Sequence, residues 1–398
     1  MKASTLAVNG GKPVRSTLLP YGRQTVDEAD IAAVADVLRS DWLTTGPKVA
    51  EFEQALCNIT GATETVAVSS GTAALDAAVF ALGIGPGDEV IVPPMTFAAT
   101  ANAVLHLGAT PVFADVDPHT LLLDPARVEE KISPRTKAII GVDYTGHPCD
   151  WDALAHLADR YHVRLIADAC HALGAAYRGR PVGSLAHITC FSFHPVKQIA
   201  TGEGGAAVTS DEDLARRMRR FRNHGITTDH RERHAAGAYF YEMVDLGYNL
   251  RLSDIHAALG LSQLAKLPAW AERRRAIASR YNQAFSALPA VRPLAIHPDV
   301  RHGHHLYVIQ LCLEELTVDR DQVFRALRLE GIGVNVHYIP VHLHPYYQQT
   351  LGTRPGQCPV AEEAYRRILT LPLFAGMTDH DVEDVISAVY KVCEACSR

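Results

Sequence analysis

The chain has 398 residues, 47% apolar and 21% charged, with a formal net charge of −6, the profile of a soluble globular protein of about two domains rather than a disordered or fibrous one. The acidic balance disfavours a general nucleic-acid binder, and no apolar run reaches the length of a membrane span. The first residues, "MKASTLAVNGGKPVR", have no signal-peptide apolar core, so a cytoplasmic protein is expected.

From about residue 60 to 210 the pattern alternates between strand and helix. "ETVAVSS" (64–70) reads as a short buried strand, and "GTAALDAAVFALG" (71–83) follows with helical spacing. After a "GPGD" turn, "DEVIVPP" (88–94) is a strand, "FAATANAVLHLG" (97–108) a helix and "TPVFADVD" (110–117) a strand. "TKAIIGVDYTG" (136–146), "WDALAHLADRYH" (151–162) and "VRLIADACHALGA" (163–175) read as strand, amphipathic helix and strand, and "ITCFSFHP" (188–195) and "GGAAVTS" (204–210) as two more strands. Strands separated by helices imply crossovers and a mostly parallel sheet with helices on both faces. Ligands of such sheets bind beyond the carboxyl ends of the strands.

The character then changes. Residues 230–250 look loop-like, and residues 253–285 read as one long helix or as two interrupted near Pro268. Beyond Val291, "HHLYVIQLCL" (strand), "DRDQVFRALRLEG" (helix), "IGVNVHYI" (332–339, strand) and "DVEDVISAVYKVCEA" (helix) suggest a smaller α/β domain. The 8 cysteines show no disulfide framework; Cys393 and Cys396 form a lone CxxC whose role is open, and are expected to be reduced thiols on a terminal helix. "RHGHH" (301–305) and "VHLHPYY" (341–347) look like metal clusters but lack helical ligand spacing, so no metal is expected.

Four stretches meet at one edge of the inferred sheet. Ser70, Gly71 and Thr72 sit at a strand-to-helix turn, where backbone N–H groups and hydroxyls make an anion site. Phe97 lies just past a strand end, where it can stack on a planar ligand. Asp168 ends an apolar strand, costly unless it meets a cation or several donors, with His171 three residues on. Ser192 ends another strand and Lys197 follows in "FSFHPVKQIATGEGGA". Together they describe a ligand with a phosphate, a flat ring, a ring cation and an amine-reactive carbonyl. Pyridoxal 5'-phosphate (PLP) has all of these.

"SSGTAAL", "ADACHALGA" and "FSFHPVKQIATGEGGA", with similarity from "PYGRQTVDEADIAAVADVLRSDWLTTGPKVAEFEQAL" to "LPLFAGMTDHDVEDV", resemble the DegT/DnrJ/EryC1/StrS group of sugar aminotransferases. The resemblance implies the aspartate-aminotransferase-like fold, fold type I, with a large domain built on a mostly parallel seven-stranded sheet and a smaller C-terminal α/β domain. Residues 1–260 would form the N-terminal arm and PLP-binding domain, and 261–398 the linking helices and small domain. It implies that Lys197 is the lysine that bonds the cofactor, that Asp168 pairs with the ring nitrogen, that His171 contacts the ring or its 3'-oxygen and that Phe97 stacks on it. Gly71, Thr72 and Ser192 would hold the phosphate. Members are homodimers with shared sites, and "LGYNLRLSDIHAALG" is similar to the segment that crosses between subunits, where Asn249 would reach the phosphate.

"LPYGRQTVDEADIAAVADVLRSDWLTTGPKV" and "GIGVNVHYIPVHLHPYYQ" resemble more narrowly the UDP-4-amino-4,6-dideoxy-N-acetyl-β-L-altrosamine transaminases of pseudaminic acid biosynthesis. These take the amino group from L-glutamate, with pyridoxamine 5'-phosphate as the amino-carrying form, to a nucleotide-linked ketosugar. The matching positions Tyr21, Asp41, Trp42, Leu43, Thr44, Gly71, Ser192, Asn249, Asn335, Val336, His337, Tyr338 and Ile339 would line the substrate site. Two departures stand out: "SSGTAAL" where that subfamily often has "NSATSAL", which could enlarge the pocket at Gly71, and "QIATGEGG" where "ITTGEGG" is commoner. Another nucleotide-sugar aminotransferase, acting at C3 or C4 of a dTDP- or GDP-sugar, is the alternative. A lysine-less dehydratase relative is disfavoured by Lys197. A nucleic-acid-binding or regulatory relative, suggested by "RRMRRFRNHG", is disfavoured by the acidic chain.

Overall fold

The computed structural model describes residues 5–228, 233 and 235–398. Its centre is a seven-stranded sheet: β1 (Glu64–Val68), β2 (Glu89–Val92), β3 (Thr110–Phe113), β4 (Thr136–Val142), β5 (Arg164–Asp168), β6 (Ile188–Ser192) and β7 (Gly205–Thr209), in the order β1-β7-β6-β5-β4-β2-β3. Five strands from β3 to β6 pair in parallel, while β7 runs antiparallel to both β6 and β1. The β4–β5–β6 centre is almost wholly buried, as expected of a sheet covered by crossover helices. Helix α1 (Gly71–Ala81) is apolar on most of its surface and lies sealed against the sheet. Because β7 returns antiparallel, the β6–β7 connection needs no crossover helix. It is a tight loop closed by the Phe193 and Thr201 backbone N–H groups, which donate to Gly204 O and Phe193 O, each at 2.9 Å. Lys197 rides on this loop.

A second sheet, Val291–Pro293, Tyr307–Leu311 and Ile368–Leu371, carries a separate apolar core with the helices Arg320–Leu329 and Asp379–Ala395. Leu6 and Leu19 of the N-terminal arm join this second core. The buried Glu330 carboxylate holds the arm by accepting from Ala7 N at 2.8 Å and Val14 N at 3.0 Å.

Two expectations about elements are corrected or resolved. Residues 254–285 form one helix, α2 (Asp254–Phe285), which continues through Pro268. The proline removes one hydrogen bond, but packing decides: Leu264 and Leu267 are held in the main core and Ile277 and Phe285 in the second. "IGVNVHYI" is not a strand. Among the described residues only isolated bridges occur there, Ile332 to Leu19 and Asn335 to Thr370. The Asn335 side-chain oxygen accepts the Val336 N–H at 2.8 Å, so a side chain takes a donor that a ladder would have used. The alternating pattern reflects burial between the arm and the second sheet rather than extended pairing.

Candidate active site

The sheet delivers the predicted residues to the carboxyl ends of its strands. At the end of β1, Ser70 caps α1: its side-chain oxygen accepts from Ala73 N at 3.1 Å. This leaves the Gly71 and Thr72 N–H groups, which a helix cannot pair internally, at the positive end of the helix. The start of β7 runs directly beneath this turn. A Cβ on Gly205 would lie 2.3 Å from the Ser70 carbonyl oxygen, so the glycines after Lys197 let two backbones touch. A Cβ on Gly71 would stand 2.8 Å from Ser192 Cβ and 3.1 Å from Cys170 Sγ. Turn 70–72, Ser192 and Cys170 therefore pack as one small cradle that a Cβ would fill, at a helix start whose free N–H groups favour an anion.

Asp168 is the last residue of β5 and is buried. Its Oδ2 accepts from the Thr100 hydroxyl at 2.7 Å and its Oδ1 from Cys170 N at 3.2 Å. Neither bonded partner is a cation, so these contacts orient the carboxylate without neutralising it. Lys197 follows β6 on a turn in which its N–H donates to His194 O at 2.8 Å. Burial lowers its pKa, with Cys170 and Asp168 pulling the other way, which raises the share of neutral, nucleophilic amine.

His171 is buried, and burial followed by the Lys197 charge drives its pKa well down, so the imidazole is neutral. Its Nε2 meets the Tyr338 hydroxyl at 3.1 Å, while its Nδ1 has no partner among the described residues. An unsatisfied buried imidazole nitrogen beside a lysine is a polar group waiting for a ligand. Gln198, next to Lys197, donates its amide N–H to the His171 carbonyl and so ties the lysine loop to the histidine loop. Phe97, past β2, is 63% exposed, with its ring 6.1 Å from that of Tyr338.

The chain also brings together Tyr21, Asn335, His337 and Tyr338. The Tyr21 and His337 rings are 5.1 Å apart, Asn335 Nδ2 lies 3.4 Å from His337 Nε2, and His337 Nδ1 lies 2.8 Å from Thr370 Oγ1. The buried Tyr144 hydroxyl donates to the His337 carbonyl, and the His337–Tyr338 peptide is cis. Burial, and then the Lys197 charge, lowers the His337 pKa to about 3, so this wall too is uncharged. Val336 is half-buried against both cores and Ile339 is exposed.

Asp41, Trp42, Leu43 and Thr44 are not bonded to the Lys197 group among the described residues. They are exposed, and are tied to the start of α2 by the Thr44–Ser253 bridge and by the Asp254 N–H, which donates to Leu43 O at 3.1 Å. Asn249 is likewise exposed, bridged to Asn223, one residue before Leu250, whose carbonyl accepts the Ser69 N–H at 2.8 Å. The arginine run folds as the helix Glu212–Arg222 and finds partners within the chain: Arg219 with Glu64 (2.6 Å), Arg220 with Asp245 (2.9 Å) and Arg222 with Glu53 (2.6 Å). Among the described residues no group of three His, Cys, Asp or Glu side chains is arranged to hold a metal ion, and no helix is long and apolar enough to cross a membrane.

Sequence analysis alone did not single out Thr100, Tyr144, Gln198 or Cys170 as parts of the site. The signal for Gln198 and Cys170 was adjacency to Lys197 and Asp168; Thr100 and Tyr144 reach the site only through the fold.

The family model for the DegT/DnrJ/EryC1/StrS aminotransferases matches residues 24–390. The chain belongs to this family. It is 44% identical to the spore coat polysaccharide biosynthesis protein SpsC of Bacillus subtilis (strain 168) over 94% of this chain and 97% of that protein. Spr1654 of Streptococcus pneumoniae in its PLP form superposes with a TM-score of 0.89 at 35% identity, covering 95% of this chain and 99% of that one. PseC of Helicobacter pylori, an aminotransferase involved in the biosynthesis of pseudoaminic acid, does so with a TM-score of 0.88 at 34% identity, covering 95% and 100%. The family is PLP-dependent, and the chain is a PLP-dependent aminotransferase of fold type I. The Gly71 turn, Asp168 held by neutral donors and the His171 Nδ1 left without a partner among the described residues, all near Lys197, fit that cofactor.

Proposed function

We propose that this aminotransferase acts on nucleotide sugars, transferring the amino group of L-glutamate to C4 of a UDP-linked 4-keto-6-deoxy-N-acetylhexosamine, as a cytoplasmic homodimer with shared active sites. The observation that carries this reading is the uncharged wall of Tyr21, Asn335, His337 and Tyr338 beside His171. These are positions at which the sequence resembles the UDP-sugar 4-aminotransferases, and the likeness to PseC supports it. Bound at this site, PLP supplies a carbon that carries the amino group between substrates and a ring that takes up electron density when a proton leaves.

The residues would divide the work as follows. The Gly71 and Thr72 N–H groups and the hydroxyls of Ser70, Thr72 and Ser192 hold the phosphate, joined by Asn249 of a second copy. Phe97 covers the ring, Asp168 faces the ring nitrogen and His171 Nδ1 faces the ring oxygen. Lys197 anchors the cofactor. Its Nζ would take the proton that leaves the glutamate Cα in the first half-reaction and pass it to the carbon that gains the amino group, water then freeing 2-oxoglutarate, and in the second it would return a proton from that carbon to the sugar C4 as the amino group passes on. Delivery to one face sets the new stereocentre, so the sugar's pose decides the product. Tyr21, Trp42, Asn249, His337 and Tyr338 hold that pose.

The shared site is supported by an exposed apolar run from Tyr239 (90% exposed) through Leu246 (77%) to Tyr248, a patch that a lone chain would leave in water. The second apolar core, drawn mainly from residues from Ile277 onward, supports a smaller C-terminal domain; the division at 1–260 and 261–398 falls within α2. The test is a panel of UDP-, dTDP- and GDP-linked 4-ketosugars with L-glutamate, followed by NMR of the product. Amine at C4 of the UDP sugar is expected. Amine at C3, or turnover of a dTDP or GDP sugar with none of the UDP sugar, would overturn the substrate while leaving the aminotransferase chemistry intact.

A further inference from the structure

We infer that Thr96 and Thr100 form a directed hydroxyl relay that positions Asp168 for the cofactor ring. The inference rests on the reading above that Asp168 faces the ring nitrogen. Thr96 and Thr100 flank Phe97 at the start of the helix Ala99–His106. Both are buried, with Thr100 0% and Thr96 2% exposed. Thr96 Oγ1 and Thr100 Oγ1 are 2.7 Å apart, and Thr100 Oγ1 is 2.7 Å from Asp168 Oδ2.

The proton inventory fixes the direction of the chain. A carboxylate only accepts, and a threonine hydroxyl has one proton to give. Thr100 gives its proton to Asp168 Oδ2, so at the first contact Thr96 must be the donor. The relay therefore runs Thr96 to Thr100 to Asp168. Accepting from Thr96 polarises the Thr100 hydroxyl and strengthens the bond it makes to the carboxylate. Cys170 N holds the other oxygen, Oδ1, at 3.2 Å. The carboxyl plane is thus fixed from both sides by neutral donors. Neutral donors orient the group without cancelling its charge, which stays available to a ring cation. A lysine or arginine in place of Thr100 would neutralise it. A valine would leave Oδ2 unbonded in a dry site and free the plane to turn.

Thr100 and Thr96 are positioning residues, and the test must separate orientation from folding. The variants Thr100→Val, Thr100→Ser, Thr96→Val and Asp168→Asn would be loaded with PLP labelled with 15N in the ring. The ring-nitrogen chemical shift, the cofactor Kd, kcat, KM for glutamate and the melting temperature would be recorded for each. Thr100→Val is expected to move the ring-nitrogen resonance toward that of unprotonated pyridine and to lower kcat about tenfold, with KM for glutamate changed by less than about threefold. Thr100→Ser restores the hydroxyl and should return both to near the wild-type values. Thr96→Val should shift both in the same direction by less. A Thr100→Val protein with wild-type ring shift and kcat would overturn the relay, provided that Asp168→Asn does move the shift. A wild-type shift in Asp168→Asn would overturn the placement of Asp168 and the relay with it. If Thr100→Val does not fold, Thr96→Val decides, because it leaves the Asp168 bond in place: no change in ring shift or kcat would overturn the relay.

Discussion

Asp143, one residue beyond β4, offers a test that needs no substrate. Its Oδ1 accepts from Cys149 N at 2.9 Å and from Trp151 Nε1 at 3.0 Å, while its Oδ2 is buried without a partner among the described residues. Burial is the main force raising its pKa to about 7; the two donors oppose it, and the nearby Asp168 charge adds to it. An ordinary aspartate titrates near 3.8. Between those values the folded chain keeps a proton that the unfolded chain has lost, so stability must fall as pH rises across this window. About three units at ~1.36 kcal/mol each amount to about 4 kcal/mol, present in full below pH ~4 and gone above pH ~7. Asparagine at 143 can accept the same two bonds and does not titrate. Its amide N–H groups, set where Oδ2 had no partner, cost a pH-independent ~1–3 kcal/mol. Denaturation curves of wild type and Asp143→Asn, measured in parallel from pH 4.5 to 8, should therefore diverge, the variant gaining on wild type by several kcal/mol toward high pH. Histidines such as His337, buried neutral, titrate in part of this window but cancel in the difference. Parallel curves, within about 1 kcal/mol at every pH, would refute the buried neutral carboxyl.

Gly71→Ala places a methyl 2.8 Å from Ser192 Cβ and 3.1 Å from Cys170 Sγ. Overpacking of this kind costs ~1–3 kcal/mol, so PLP affinity, read by absorbance titration, should fall about 5- to 150-fold. Lys197→Ala should lose the visible absorbance of the lysine-bound cofactor and all transamination. Mixed with an inactive Asn249 variant, it should recover activity, because one site of each heterodimer then holds both intact residues; verified heterodimers without activity would place the site within one chain.

The recurrence of short apolar strands and helices from residue 64 to 209 is local information, and it was enough to predict the seven strands of the main sheet and that they pair mostly in parallel, though not their order. Strand ends are also local, since a polar residue after an apolar run stops burial, and this is why Asp168, Ser192 and Lys197 could be assigned to one edge before any contact was known. Three-dimensional pairing could not be read this way. Alternation in "IGVNVHYI" has the period of a strand, yet the segment meets Leu19 on one side and Thr370 on the other through single bridges. Pro268 carries a local signal for a break that two separate apolar cores override. Thr100 lies 68 positions from the carboxylate it holds, and Tyr144 lies 193 from the His337 carbonyl. Neither pairing leaves a mark in the spacing of residues, because it exists only once the sheet has brought strand ends together. The residue types of the site were thus set by the sequence, and the closing of the main core decided which neutral donors hold them and how dry they are.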